Sequence, residues 1–368
     1  MKVAVVFGTR PEAIKMAPIV KELEKRRMKS LVIVTAQHRE MLDQKLEVFN
    51  IKPNYDLDIM QHDQDLFYVT TAVLNEIKPV LLKEKPDVLL VQGDTTTTFA
   101  SSLAAFYFKI PVGHVEAGLR TWNKFNPYPE EINRQLTTRI TDFHFAPTEW
   151  AKKNLIAEGI STDKIFVTGN TVIDALLMIV DPDYKFKNEP LSKIDYANRK
   201  VILLTSHRRE NFGEPMTQIF SACRYLVEKN KDVELIYPVH PNPNVQKKAN
   251  EILAGVPRIH LIEPMEYRPF VQLMNKAYLI LTDSGGVQEE APSLGKPVLV
   301  LRKTTERPEA IEVGTAKLVG TDKETIISTA QKLLTDEKAY HEMSTKANPY
   351  GDGKAAKRIV DIILEKVK

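Results

Sequence analysis

The sequence is poor in several features that would assign it to a class. It has one cysteine in 368 residues, Cys223. That excludes an intrachain disulfide framework and any multi-cysteine metal or iron–sulfur site. Cys223 sits in an apolar-periodic stretch, so a buried inert thiol is expected rather than a reactive one. No segment approaches the ~18 uninterrupted apolar residues of a membrane span. The first apolar run, Val3–Phe7, stops at Gly8 without the length or cleavage site of a signal peptide. A cytoplasmic protein with no membrane partner is therefore expected. Runs of one charge are also missing, since Arg26–Arg27 and Arg208–Arg209 are only pairs. That argues against a nucleic-acid partner. The GxGxxG dinucleotide fingerprint does not occur after the first strand.

What remains is ordinary globular composition, 43% hydrophobic and 27% charged, with 51 basic and 48 acidic residues and a net charge of +3. The slight basic excess suits local anion sites better than a broad polyanion surface. The length exceeds the ~250–300 residues at which one core stops growing, so two domains are expected. Short continuous apolar runs recur at Val3–Phe7, Leu31–Thr35, Val88–Val91, Val112–Val115, Phe143–Ala146 and Ile165–Thr168. After a break they resume at Val201–Thr205, Glu234–Val239, Ile259–Ile262, Leu279–Thr282 and Pro297–Leu301. Runs apolar throughout are strands covered on both faces. Amphipathic patterns such as Trp150–Glu158, Met216–Lys229 and Lys323–Leu334 lie between them. The alternation predicts an α/β fold of two Rossmann-like, doubly wound parallel-sheet domains facing a cleft. The polar stretch Asp181–Lys200 reads as the linker. The expected domains are 1–180 and 181–350, with a last helix in 351–368 packing back on the first.

Ligands of open parallel sheets bind beyond the carboxyl ends of the strands, so the residues just after each run are the candidates. Gly8-Thr9-Arg10-Pro11 begins a helix, and Arg10 and Lys15 near its N-terminus could form an anion site or be two surface cations. Asp94 follows the third run and could equally cap the next helix. Glu116 follows the fourth, where a purely structural carboxylate needs a partner. Glu130 and Glu131 open a helix after Pro127-Tyr128-Pro129, where the helix dipole alone would explain them. Asp94, Glu116 and Glu130 on one rim could together supply acid and base. His207, directly after a strand and beside two arginines, suggests phosphate contact or proton transfer. His240 is as readily structural. Asp283-Ser284-Gly285-Gly286 between strand and helix is the recipe for a phosphate cradle, with backbone N–H groups of Ser284, Gly285 and Gly286 near the ligand. Glu290, one turn on, can accept two ribose hydroxyls. Arg307 is a further cation for a diphosphate.

These residues fall in strings that resemble the non-hydrolysing UDP-N-acetylglucosamine 2-epimerases nearly end to end. The strings include GTRPEAIKMAPIV (8–20), QGDTTTTFA (92–100), GHVEAGLRT (113–121), YPEEINRQLT (128–137), HRRENFGEPM (207–216) and LTDSGGVQEEAPSLGKPVLVLR (281–302). The resemblance implies a glycosyltransferase-B-like fold, a homodimer, and interconversion of UDP-GlcNAc and UDP-ManNAc. The implied route eliminates UDP to 2-acetamidoglucal and adds it back, with no redox cofactor and no metal. The acid/base candidates carry over to Asp94, Glu116 and Glu130, with His207 near the diphosphate. UDP and sugar contacts carry over to Arg10, Lys15, Phe270, Ser284, Gly285, Gly286, Glu290 and Arg307, with Arg134 orienting Glu130; Met265, near the uracil, departs from the family pattern at a place where a backbone contact tolerates the change. A second, activating nucleotide-sugar site would involve Gln37, Glu40, Asp63, Glu130, Arg208 and His240, but the acidic Glu40 and Asp63 oppose a diphosphate there. Other readings of the same motifs are a hydrolysing 2-epimerase releasing ManNAc, a UDP-sugar glycosyltransferase, and a silent nucleotide-sugar-binding regulator.

Overall fold

The structure, a computed structural model, describes residues 1–36 and 46–367. Met1–Met178 with Tyr350–Lys368 form one compact unit and Ile179–Pro349 the other.

The first unit is built on a parallel sheet of seven strands: β1 (Lys2–Phe7), β2 (Lys29–Val34), β3 (Tyr55–Asp56), β4 (Val88–Gln92), β5 (Val112–Val115), β6 (Phe143–Ala146) and β7 (Ile165–Val167). Their order is β3-β2-β1-β4-β5-β6-β7. Val3 to Phe7 and Val88 to Val91 are each at most 1% exposed, as strands covered by helices on both faces must be. One core cluster joins Ala4, Val6, Leu89, Val91 and Val112 of the sheet to Ile77 and Leu81 of the helix Leu66–Glu84. On β5 and β6, His114 and His144 are register partners, and both are fully buried. The helix Ala355–Lys366 closes this unit against the first helix, Arg10–Lys25. Asp174 accepts the N–H groups of Ala355 (3.2 Å) and Ala356 (2.9 Å) at its start.

The second unit has six parallel strands: β8 (Lys200–Thr205), β9 (Val233–Pro238), β10 (Ile259–Ile262), β11 (Leu279–Thr282), β12 (Val298–Val300) and β13 (Ala316–Leu318). Their order is β10-β9-β8-β11-β12-β13. Cys223 is fully buried among Phe220, Leu226, Leu235 and Leu281, and burial pushes its thiol up to about 12. A thiol that does not ionise is inert.

The expected α/β class of two doubly wound parallel sheets is what the chain forms. Two strands escape the sequence reading, β3 and β13. Both are edge strands of two or three residues, and neither is continuously buried. A run that short, with one residue facing outward, carries no apolar signature to find. Each sheet has one topological switch point, where the strand order reverses: between β1 and β4 in the first unit, and between β8 and β11 in the second. At a switch point adjacent connections leave toward opposite faces, which opens a crevice at the strand ends.

Candidate active site

At the switch point of the first unit, β1 runs into Gly8. A Cβ there would collide with the hydroxyls of Thr35 and Thr97, so the position admits only glycine at this backbone separation. Thr9 then caps the helix Arg10–Lys25 in a capping box with Glu12. Glu12 is buried and accepts from Gly8 N–H (3.0 Å), Thr9 N–H (2.8 Å), Thr95 Oγ1 (2.7 Å) and Thr98 Oγ1 (3.1 Å). Burial raises its pKa, and the hydrogen bonds only partly offset that rise. Glu12 thereby ties the β1 turn to the β4 turn. Arg10 is exposed at the start of this helix.

Lys15, one turn in, reaches across to Glu116 at the end of β5. Its Nζ donates to Oε1 at 2.5 Å and Oε2 at 2.7 Å. Asn170 Nδ2 adds a bond to Oε1 at 2.9 Å, and Gln92 Nε2 donates to Oε2. Glu116 is 8% exposed and sits at φ +65°, a left-handed conformation that costs a non-glycine residue energy. A buried carboxylate with a cation, two amides and a strained backbone is held in one orientation, as a reacting group must be.

Asp94 follows β4. It does not cap the next helix; Thr95 does, accepting from Thr98 N–H at 3.1 Å. Arg134 donates Nε (2.9 Å) and Nη2 (2.6 Å) to the same oxygen, Oδ2. Oδ1 has no hydrogen bond among the described residues. Asn133 Nδ2 holds the Asp94 carbonyl at 3.0 Å. Arg134 therefore orients Asp94 rather than Glu130, correcting the expectation from its spacing. Its side chain reaches back over the β4 end, while its Nη1 meets Glu131 at 3.4 Å. Of the two acids opening the helix Glu130–Ile140, Glu131 is structural. It is fully buried and accepts from Thr121 N–H, Trp122 N–H and Gln135. Burial alone would raise its pKa, but those donors and the charges of Arg134 and Arg120 hold it below the ordinary carboxylate value. Glu130 is only half-buried, and its Oε2 is a covered oxygen with no hydrogen-bond partner among the described residues. An oxygen left unsatisfied in this way awaits a donor.

At the second switch point, His207 follows β8 and Asp283 follows β11. Asp283 Oδ2 accepts the backbone N–H groups of His207 and Arg208, both at 2.9 Å. The His207 and His240 rings stack, with centroids 5.4 Å apart and planes 14° off parallel. Ser284 N–H is not a cradle donor, because it is spent on Thr282 Oγ1 at 2.9 Å. Gly285 and Gly286 open the short helix Gly285–Glu290. The Arg307 guanidinium lies over Gly285, where a Cβ would sit 3.4 Å from Cζ. Arg307 Nε is aimed by Glu289 Oε1 at 2.6 Å. Glu290 accepts the Tyr267 hydroxyl at 2.5 Å, and burial, then the Glu290 charge, raises the Tyr267 pKa well above the ordinary value. Phe270, on the helix Tyr267–Lys276, is half-buried. Met265 lines a cavity of about 570 Å³ together with Tyr184, Phe186, Leu261 and Pro269.

Of the second-site positions, Gln37 and Glu40 lie outside the described residues. Asp63 is on the first unit, almost fully exposed and paired with His62 at 2.8 Å. Arg208 and His240 are on the second unit. Among the described residues no three His, Cys, Asp or Glu side chains are grouped to hold a metal ion, and no helix is long and apolar enough to cross a membrane. Sequence reasoning missed Glu12, Gln92, Asn170, Glu289, Tyr267 and Asp283. Asn170 was findable, since it follows β7 as Glu116 follows β5. Glu12 was findable too, from the Thr9-x-x-Glu12 capping-box spacing, whereas the others act through partners far along the chain.

A model of the UDP-N-acetylglucosamine 2-epimerase family matches residues 21–364. The UDP-N-acetylglucosamine 2-epimerase of Yersinia pestis is 56% identical over 366 residues, covering 98% of this chain and 97% of the relative. The chain belongs to the UDP-N-acetylglucosamine 2-epimerase family. Among solved structures, the putative UDP-N-acetylglucosamine 2-epimerase of Listeria monocytogenes is 54% identical with a TM-score of 0.94, covering 100% of this chain and 97% of that one. The UDP-GlcNAc 2-epimerase of Neisseria meningitidis, solved bound to UDP-GlcNAc, is 53% identical with a TM-score of 0.86, covering 100% of both chains. The match is to the whole epimerase family chain, so both switch-point rims belong to the shared architecture.

Proposed function

We propose that this epimerase family member inverts C2 of UDP-GlcNAc reversibly, giving UDP-ManNAc, by eliminating UDP to 2-acetamidoglucal and adding it back. The observation that carries the reading is Glu116. It is a buried carboxylate locked by Lys15, Gln92 and Asn170, and it lies against Gly93, the residue before Asp94. The C2–H of the sugar is not beside a carbonyl, so a carbanion there is poorly stabilised. Loosening the anomeric C–O bond first creates oxocarbenium character, which acidifies C2–H. Inversion then needs a proton removed from one face and another delivered to the opposite face. Asp94, with Oδ1 open, Glu116 and Glu130, with Oε2 unsatisfied, are the groups for those transfers. The leaving diphosphate is stabilised on the second unit by Arg307, the N–H groups of Gly285 and Gly286, and His207. Glu290, buttressed by Tyr267, accepts the ribose hydroxyls, while Phe270 and the Met265 backbone receive the uracil. Lys15 holds Glu116 through both carboxylate oxygens.

Turnover of UDP-GlcNAc in deuterated water tests the reading. Deuterium at C2 of UDP-ManNAc is the expected result. Free ManNAc with stoichiometric UDP would mean hydrolysis, and transfer to an added acceptor without C2 exchange would mean a glycosyltransferase. The reading is of a cytoplasmic homodimer. Exposed Phe67, Leu82, Phe106 and Tyr107, on two helices packed together in the first unit, support the dimer. A monomer in analytical ultracentrifugation would remove it.

A further inference from the structure

The turn carrying His207 hangs on one buried side chain. Asp283 is 0% exposed. Its Oδ2 takes four donors: the N–H groups of His207 and Arg208, Asn211 Nδ2 at 3.0 Å and the Ser206 hydroxyl at 3.2 Å. That saturates the oxygen. Its Oδ1 is equally buried and has no hydrogen-bond partner among the described residues. The group facing it is His207 Nδ1, at 3.4 Å. Leaving a buried carboxylate oxygen unpaired is costly, and a small rotation of the imidazole supplies the donor. One face of the ring is covered by His240.

We propose that Asp283 is a positioning residue for His207. Through Oδ1 it keeps the proton of the neutral ring on Nδ1, so that Nε2 is the nitrogen turned to the diphosphate. The proposal rests on the reading of His207 as a diphosphate contact. A proton held on Nε2 passes to an oxygen of the departing diphosphate in elimination and returns to Nε2 in re-addition, so none is gained or lost over the cycle. The groups around the ring set when Nε2 carries that proton. Burial lowers the His207 pKa, Asp283 raises it, and His240 and Arg208 lower it again, with the net shift downward. The Tyr237 hydroxyl behind the turn, donating to the Ser206 carbonyl at 2.6 Å, stays neutral. The bound dianion adds the negative charge that draws a proton onto Nε2, and the Asp283 carboxylate then faces an imidazolium.

The test is histidine ¹⁵N NMR of the full-length protein together with a double-mutant cycle. In the wild type near pH 8, His207 should carry its proton on Nδ1, and an Nε2–H tautomer would overturn the proposal with no variant needed. In Asp283→Asn the amide oxygen must take the four donors, which turns the NH₂ toward Nδ1 and reverses the tautomer. Its kcat should fall roughly 10–100-fold, the scale known for outer partners that orient metal-bound histidines, with KM nearly unchanged. In a His207→Ala background the same change should cost nothing further. An equal loss in both backgrounds would make Asp283 merely structural and overturn the proposal. Full activity of His207→Ala alone would instead sink the reading of His207, a different result from a silent Asp283→Asn beside an impaired His207→Ala.

Discussion

Replacing Glu116 by Gln separates what the Lys15–Glu116 pair does for stability from what it does for chemistry. The Lys15 side chain is 17% exposed and that of Glu116 5%, and both carboxylate oxygens accept from the ammonium. Glu116→Gln leaves that ammonium without its counter-charge. It also turns an NH₂ group toward either Gln92 or Asn170, which are themselves donors here. Breaking a buried pair from one side costs about 3–5 kcal/mol, and one buried donor facing another adds about 1–3 kcal/mol. Lys15 can swing toward water, so the low end, about 3 kcal/mol, is expected. For a unit of this size that lowers the melting midpoint by roughly 6–12 °C. Turnover should fall by about 10²–10⁴-fold, as for loss of an acid/base group. The double variant Lys15→Met, Glu116→Gln removes the stranded charge, so it should melt well above the single variant yet stay equally inactive. Differential scanning calorimetry and C2 deuterium exchange read the two effects separately. An unchanged melting midpoint in Glu116→Gln would refute the energetic argument. Turnover restored in the double variant would refute the catalytic one.

Arg134→Lys replaces two N–H donors on one Asp94 oxygen with a single point charge. A drop in kcat of about tenfold is expected, with the melting midpoint little changed because the loss is of orientation; wild-type kinetics would return Arg134 to a structural role. Burial raises the Asp174 pKa from 3.8 to about 6, against the opposing pull of the Ala356 and Ala355 N–H groups. A raised carboxylate binds its proton more tightly in the folded chain, so its contribution is complete below pH ~4 and is lost as pH rises through about 6. That amounts to about 3 kcal/mol. Asp174→Asn should gain on the wild type between pH 4 and 6 in thermal melts, and parallel curves would refute it. His114 and His144 are buried bases held down to about 4 and about 3, chiefly by burial. Stability should therefore fall as pH drops from 6.5 toward 4, and His144→Phe should flatten that slope; an unaltered slope would show that His144 takes no part.

The sequence by itself determined two parallel sheets and which residues end their strands. Both are written in local runs: a strand covered on both faces must be apolar throughout, and the polar or glycine residue that breaks the run marks its end. Asp94, Glu116, His207 and the Gly285–Gly286 pair were legible for that reason. Partners were not. Lys15 meets Glu116 across 101 positions, Arg134 meets Asp94 across 40, and Asp283 holds His207 across 76. Spacing alone pointed Arg134 at Glu130 and made Ser284 a cradle donor, and it could not separate structural Glu131 from unsatisfied Glu130. Only the order β1-β4-β5 in one sheet, and the adjacency of β8 and β11 in the other, brings those ends together. Strand order is set by packing between distant segments, so which carboxylate has a cation beside it and which keeps an open oxygen is decided only when the sheets form.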